Sequence, residues 1–353
     1  MAPALPEPTP AYLSPGRCTQ GREVPAQAAS PLPPGVSGRV SFYAAVYSTA
    51  GQPVRAITLG DVDDLHPLAS TFKPLVVQGI LREVDAGKYK LTTRFTTTAA
   101  NRSIESYPPG SHTIRDLAQR TLYDSNNTAS DILHLAYGPG RLAREVRRLS
   151  PCTSVFLTTK GWWSAQSGLI PEVMPVDPLT LNTLPSAAAY ARQPLEERIL
   201  SAHRIIQASM AVSAPKLEKD LDLYFFSPNY TPELEFYVQN MSTARAYSDL
   251  MARTMSGANL KAGTKQVFRE LLATGCCRPK QPRLKARYWA AKAGSGWRVL
   301  TLTGYVEMPD GQVMAYTYLN DQSDATFTQT IEQQIRPLVG WIEGNLITLR
   351  GRP

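Results

Sequence analysis

Near its C-terminal end the chain carries a strand-turn-strand signal that commits part of the molecule to an antiparallel sheet. From Arg298 to Glu307, Val299, Thr301 and Thr303 alternate with Leu300, Leu302 and Gly304; Pro309-Asp310-Gly311 marks a turn, and Val313 to Leu319 supplies the returning strand. Other apolar patterns have the helical period. Leu75, Val76, Val77, Ile80 and Leu81 predict a buried helix that opens near Ser70. Thr113 and Asp116 predict a capping-box start, with Ile114, Leu117 and Leu122 as the stripe, which resumes at Ile132, Leu133 and Leu135. Phe327, Ile331, Ile335, Leu338 and Ile342 predict a last helix that packs on the sheet. A chain of 353 residues with 43% hydrophobic content buries a full core, and one unit of two lobes fits it better than several small domains.

Three short motifs fall on these elements. Ser70-Thr71-Phe72-Lys73 places a lysine three residues after a serine, so that on a helix the amine reaches the hydroxyl it would deprotonate. The helix start adds free N–H groups and a positive dipole end beside the serine, which favour developing oxyanion charge. Pro74, in the first turn, is tolerated there. The tetrad alone is weak, because Ser213-Ala214-Pro215-Lys216 repeats the pattern without partner motifs. Ser125-Asn126-Asn127 falls at a break between two helical stripes, a place that pushes polar side chains into a cleft. Lys292-Ala293-Gly294-Ser295 lies on a predicted strand, where Lys292 on a sheet edge would hold a substrate carboxylate and the Ser295 N–H would supply an oxyanion donor. Together, in this order, the three supply a nucleophile, a proton shuttle and an anion site.

On these motifs the chain resembles the serine β-lactamase and penicillin-binding protein superfamily, with class A β-lactamases as its nearest likeness. The resemblance covers about residues 37 to 348: Arg39 to Ser48 is similar to the first strand, Pro67 to Asp85 to the nucleophile helix, and Thr113 to Leu149 to the paired helices. It implies Ser70 as nucleophile, Lys73 as its base, Ser125 as proton relay, Asn127 as substrate ligand and Lys292 as anion anchor. The expected fold class is α/β (α+β), a mainly antiparallel sheet flanked by helices plus a helical lobe. After a leader or linker at 1–36, the catalytic domain is expected at 37–350, with an α/β lobe at about 37–66 and 285–350 and a helical lobe at about 67–284. Ser70 would lie at the floor of the cleft between the lobes.

Two departures from the family pattern shape the expected function. The third motif lacks a hydroxyl at Ala293, a role for which Ser295 is the candidate replacement and Arg298 a candidate added charge. No E-x-x-L-N segment stands in the region from Thr158 to Leu184, which offers Glu172 and Asp177 as candidate deacylation carboxylates. The expected reaction is an acyl-enzyme on Ser70 and hydrolysis of β-lactam amides. The alternatives are a slowly deacylating D-alanyl-D-alanine peptidase or esterase of the same fold, and a non-catalytic penicillin-binding homologue. The substrate is expected to be a β-lactam or a peptidoglycan stem peptide, the protein a monomer, and no cofactor is implied.

The rest of the chain narrows the alternatives. Residues 1–36 are crowded with Pro, Ala and Ser and read as flexible. No run has the length of a transmembrane helix, and the first residues lack the basic start and apolar run of a signal peptide; the superfamily implies an extracytoplasmic enzyme, its export signal not visible here. Cys18, Cys152, Cys276 and Cys277 allow three connectivities, the adjacent pair only through a strained ring. The histidines, His66, His112, His134 and His203, are scattered without metal-ligand spacing, so no metal is expected. The net charge of +8 is densest at Arg278, Lys280, Arg283, Lys285 and Arg287, but no nucleic-acid reading element accompanies it, and a solvated face with no nucleic-acid partner is expected. Trp162 and Trp163 are expected in the core.

Overall fold

The computed structural model describes residues 12–104, 107–228 and 230–351. Strands β1 (Ala26–Ala28), β2 (Arg39–Tyr47) and β3 (Pro53–Leu59) are followed by β4 (Leu65–Pro67), a short 3-10 helix (Ala69–Phe72) and α1 (Lys73–Asp85). The hairpin β5 (Arg94–Thr97) and β6 (Gly110–Thr113) leads into α2 (Ile114–Leu122), α3 (Asn127–Tyr137) and α4 (Pro139–Leu149). A run of helices comes next: α5 (Thr159–Gln166), α6 (Leu184–Ala191), α7 (Leu195–Ser209), α8 (Ala214–Phe225) and α9 (Pro232–Val238). Then β7 (Met241–Thr243), α10 (Ala244–Met255) and α11 (Ala262–Thr274) precede β8 (Tyr288–Gly296), β9 (Val299–Glu307) and β10 (Val313–Asp321), and α12 (Thr328–Glu332) and α13 (Ile335–Arg350) close the chain.

The main sheet has the order β1-β3-β2-β10-β9-β8, so strands from the two ends of the chain meet at its centre. β2 and β10 pair antiparallel from Val313↔Tyr47 to Asp321↔Arg39. Only β1 runs parallel, on β3. Because successive strand residues face opposite sides, the alternation sorts side chains into two cores. Phe42, Ala44 and Val46 join Leu300, Leu302, Tyr316 and Tyr318 beneath α13, through Leu338, Ile342 and Leu346. Tyr43, Ala45 and Tyr47 face the other way, into the core shared with α1, α3 and α10. The architecture is the mixed α/β one expected: a mainly antiparallel sheet flanked by helices, with a helical lobe.

Local signals explain several helix starts. The Thr113–Asp116 capping box forms and opens α2. Helix α1 is buried nearly all round, consistent with its unbroken apolar run, and even Gln78 is buried, donating Nε2 to the Thr254 carbonyl at 2.9 Å. Ser213 caps α8, its hydroxyl accepting from the Lys216 backbone N–H, which explains the second S-x-x-K tetrad as a helix start. Trp162 is buried in the core, and Trp163 packs against it half-buried.

The sequence expectation of a flexible leader is corrected for residues 12–36; residues 1–11 lie outside the described residues. Cys18 is disulfide-bonded to Cys152 across 134 positions. β1 pairs with β3, and the Leu13 backbone is held by Gln322, whose Oε1 accepts from its N–H at 2.9 Å. Asn345 accepts from the Ser30 N–H at 3.0 Å. These anchors are backbone hydrogen bonds and a covalent link, neither of which needs an apolar run. The other two cysteines, Cys276 and Cys277, pair with each other. The last helix is also corrected at its start: Phe327 precedes α12, is 52% exposed and packs on Trp297 rather than on the sheet.

Candidate active site

The 3-10 helix that carries Ser70 is clamped from several sides. The Thr301 hydroxyl of β9 donates to the Leu68 carbonyl at 2.9 Å, and the Tyr247 hydroxyl of α10 donates to the Thr71 carbonyl at 2.7 Å. Ala69 is held at φ +43°, a conformation costly for a residue with a Cβ. The edge strand β8 abuts this turn: a Cβ on Gly294 would lie 2.4 Å from the Ser70 nitrogen and 2.8 Å from the Ala69 Cβ. Glycine at 294 is what lets the strand backbone reach the half-buried Ser70.

Ser125 stands at the break between α2 and α3, at φ +56°, and Asn126 caps α3 by accepting from the Ala129 N–H at 2.9 Å. This strained position turns both Ser125 oxygens toward α1 and β8. Lys73 Nζ donates to the Ser125 carbonyl, lies 3.3 Å from Ser125 Oγ and donates to Asn127 Oδ1 at 2.8 Å. Lys292 Nζ approaches from the other side, 2.8 Å from Ser125 Oγ and 2.6 Å from the Ala293 carbonyl. The Ser125 hydroxyl therefore bridges two lysine amines, both almost fully buried. Burial, and then the neighbouring Lys73 charge, pushes the Lys292 amine well below the usual lysine range, with Glu332 opposing. A hydroxyl within reach of two amines is an arrangement that can relay protons.

The structure bonds Lys73, Ser125, Asn127 and Lys292 into one group, sets the Ser70 backbone against Gly294 of β8, and leaves the side chains of the other sequence candidates outside this group. Ser295 alternates to the opposite face of β8 from Gly294, and its hydroxyl donates to Glu332 Oε1 at 2.5 Å. The same alternation buries Ala293 in the α13-side core, so neither side chain joins the Ser125 bridge. Arg298, at φ +57°, spends its guanidinium on the Ser323 and Gln322 carbonyls at 2.7 and 3.1 Å. Asp177 caps its own turn, accepting from the Leu179 and Thr180 N–H groups and the Thr180 hydroxyl. Glu172 is exposed.

One acid missed in the sequence stands beside the cluster. Asp131 lies one helical turn beyond Asn127 on α3, fully buried, and accepts from the Thr159 and Lys160 N–H groups at 2.8 and 2.9 Å. Burial raises it to about 6 against the opposing pull of those N–H groups and of Lys73. The available signal was its spacing of four from Asn127, which puts both on one helix face. Lys160, at the start of α5, donates to the Ala99 and Ala100 carbonyls at 3.2 and 2.8 Å, and burial lowers it to about 8. A second constellation has the order of a Ser-His-Asp relay: Ser41 Oγ to His66 Nε2 at 2.8 Å and His66 Nδ1 to Asp321 Oδ2 at 2.9 Å. It is sealed in the interior, with Arg39 also on Asp321, and ties β2, β4 and β10 together rather than facing a cleft.

Comparison with known proteins bears on the fold. Residues 39–149, which hold Ser70, Lys73, Ser125 and Asn127, match the model of the β-lactamase enzyme family. The chain is similar to the crystal structure of a β-lactamase from Burkholderia vietnamiensis, at 18% identity and TM-score 0.51, over 87% of this chain and 91% of that one. This is the fold of the serine β-lactamases and penicillin-binding proteins. A β-lactamase from Xanthomonas campestris is likewise similar at 17% identity and TM-score 0.54, over 89% of this chain and 94% of that one. So is a variant of PBP-A solved as an acyl-enzyme complex with penicillin G, at 16% identity and TM-score 0.50, over 88% and 92% of the two chains. No curated protein matches the chain.

Proposed function

We propose that the protein is a serine acyl-transfer enzyme of the penicillin-binding and β-lactamase type, acylated on Ser70 by β-lactams and releasing the acyl group slowly. The observation that carries the reading is the Ser125 hydroxyl held between Lys73 and Lys292, beside the turn that bears Ser70. In this reading Lys292 carries the charge once it is paired with the substrate carboxylate, Lys73 is in its neutral form, and Ser70 Oγ attacks the lactam carbonyl as its proton passes to that neutral amine. The Ser125 hydroxyl hands a proton to the departing lactam nitrogen and is resupplied from the lysine side, while Asn127 contacts the substrate amide. The Ser70 and Ser295 N–H groups are the donors assigned to the oxyanion. Lys292 pairs with the substrate carboxylate, and that anion restores the charged form which burial disfavours.

Slow release is favoured by the fate of the two loop carboxylates. Asp177 is committed to its own turn and Glu172 faces solvent, so neither is bonded to the Ser70 neighbourhood to activate a water. β-Lactams mimic an acyl-D-amino acid terminus, so a stem-peptide carboxypeptidase or esterase reaction is the activity assigned alongside penicillin binding. No helix among the described residues is long and apolar enough to cross a membrane. Both cysteine pairs are disulfide-bonded, which fits an extracytoplasmic workplace.

The test is intact mass and colour over time with a penicillin and a chromogenic cephalosporin, beside Ser70→Ala. A lasting adduct, absent in the variant, is expected. Rapid colour without adduct would replace slow release by β-lactamase turnover; neither adduct nor colour would remove the reading.

A further inference from the structure

Trp297 sits in the two-residue turn between β8 and β9, at the end of the strand that borders Ser70. Its ring is stacked on Phe225 of α8 at 5.0 Å and 16°. Phe226 meets it edge-on at 5.0 Å, Tyr230 at 6.2 Å and Phe327 at 6.0 Å. Phe225, Phe226 and Tyr230 belong to the helical lobe, whereas Trp297 and Phe327 belong to the sheet side. The rings thus form a bridge across one end of the space between β8 and the helices. Both supports are fixed: Tyr230 bonds buried Glu235 at 3.3 Å, and Arg298 ties the turn to the Gln322 and Ser323 carbonyls.

The direction in which a substrate lies along β8 follows from the functional reading above, on which this inference rests. Lys292 takes the carboxylate, which in a β-lactam or an acyl-D-amino acid is on the leaving-amine side of the scissile bond. Gly294 abuts Ser70, where the carbonyl reacts. The acyl side must therefore run on past Gly296 toward Trp297. From Gly294 to Trp297 is three residues, roughly 10 Å of strand at about 3.3 Å each. We infer that the aromatic bridge at Trp297 limits the acyl side of the substrate, admitting short or compact acyl groups and rejecting long rigid ones by steric exclusion. Trp297 is then a specificity-determining residue, and substrates with a short or compact acyl group are preferred.

Two penicillins that differ only in the acyl side chain, acetyl against a rigid terphenyl-acyl group longer than the available strand, test this by their second-order rates of Ser70 labelling. The expected acetyl-to-terphenyl rate ratio is tenfold or more in the wild type. It falls by at least tenfold in Trp297→Ala and in Phe226→Ala with Trp297→Ala, and is retained in Trp297→Phe, which keeps a ring in the bridge. Melting curves confirm that the variants are folded, and because a ratio is read, a general loss of activity cancels. A wild-type ratio near one, or a ratio unmoved in Trp297→Ala, overturns the inference while leaving Ser70 acylation standing. Labelling by neither penicillin overturns the functional reading and the inference with it.

Discussion

Adding one methyl group at Gly294 tests the close approach of β8 to the nucleophile turn. An alanine Cβ there would lie 2.4 Å from the Ser70 nitrogen, 2.7 Å from Thr301 Oγ1 and 2.8 Å from the Ala69 Cβ. Two of these contacts are to the turn itself, and the third is to the hydroxyl that clamps it through Leu68. Nothing flexible can yield, so the strand and the turn must separate by about 1 Å to restore van der Waals distance. β8 is an edge strand with a neighbour on one side only, so the strand is the part that moves, carrying Lys292 with it. Overpacking of this kind costs about 1–3 kcal/mol of stability. A 1 Å displacement between reacting groups costs about a hundredfold in rate. Gly294→Ala is therefore expected to lower the second-order rate of acylation by a penicillin about a hundredfold, with a melting temperature reduced by only a few degrees. The assay is intact mass against time at several penicillin concentrations, with a thermal melt on the same sample. Wild-type acylation by the variant would refute the argument, since the strand would then not border Ser70.

Two further predictions concern stability. Asp131 rises from 3.8 to about 6 on folding, so the folded state holds a proton that the unfolded chain has lost; stability falls as pH rises through that window, by about 3 kcal/mol in all. Asp131→Asn should remove this slope from urea titrations run between pH 4 and 7, while costing about 1–3 kcal/mol because one of the Thr159 and Lys160 N–H groups would face an amide donor; equal slopes in the two proteins would count against it. The Cys18–Cys152 bond closes a loop of 134 positions, for which chain entropy predicts about 5 kcal/mol. Cys18→Ser with Cys152→Ser should shift the urea midpoint down accordingly, and an unmoved midpoint would show that the 12–36 segment is held by its backbone bonds alone.

The legible parts of this protein are those in which the chemistry is local. The hairpin from Val299 to Asp321 and the capping box at Thr113 followed from residue pattern, and both form. The order Ser70, Lys73, Ser125, Asn127, Lys292 was visible because each residue lies on an element whose period or break could be read; the fold bonds the last four together and sets the Ser70 backbone beside Gly294. For Ser295 and Arg298 the neighbours in sequence were informative but the sides were not: one hydroxyl faces α12, and one guanidinium closes a loop. Asp177, a candidate deacylation carboxylate from its place in the sequence, caps its own turn. Residues 12–36 carry no apolar period, yet a ladder and a disulfide hold them.

Sequence by itself determined which segments become strands and helices, and which of them carry a serine, a lysine or an amide at its end, because propensity, capping and periodicity act over a few residues. It could not separate Ser70-x-x-Lys73 from Ser213-x-x-Lys216. The second serine is spent on the N–H groups of its own helix, whereas Lys73 meets a strained Ser125 from α2–α3 and, through it, Lys292 from the far end of the chain. Which lysine is buried, and the lowering of the Lys292 amine by burial and by the charge of Lys73 more than a hundred positions away in the chain, depend on distances that only the tertiary structure sets.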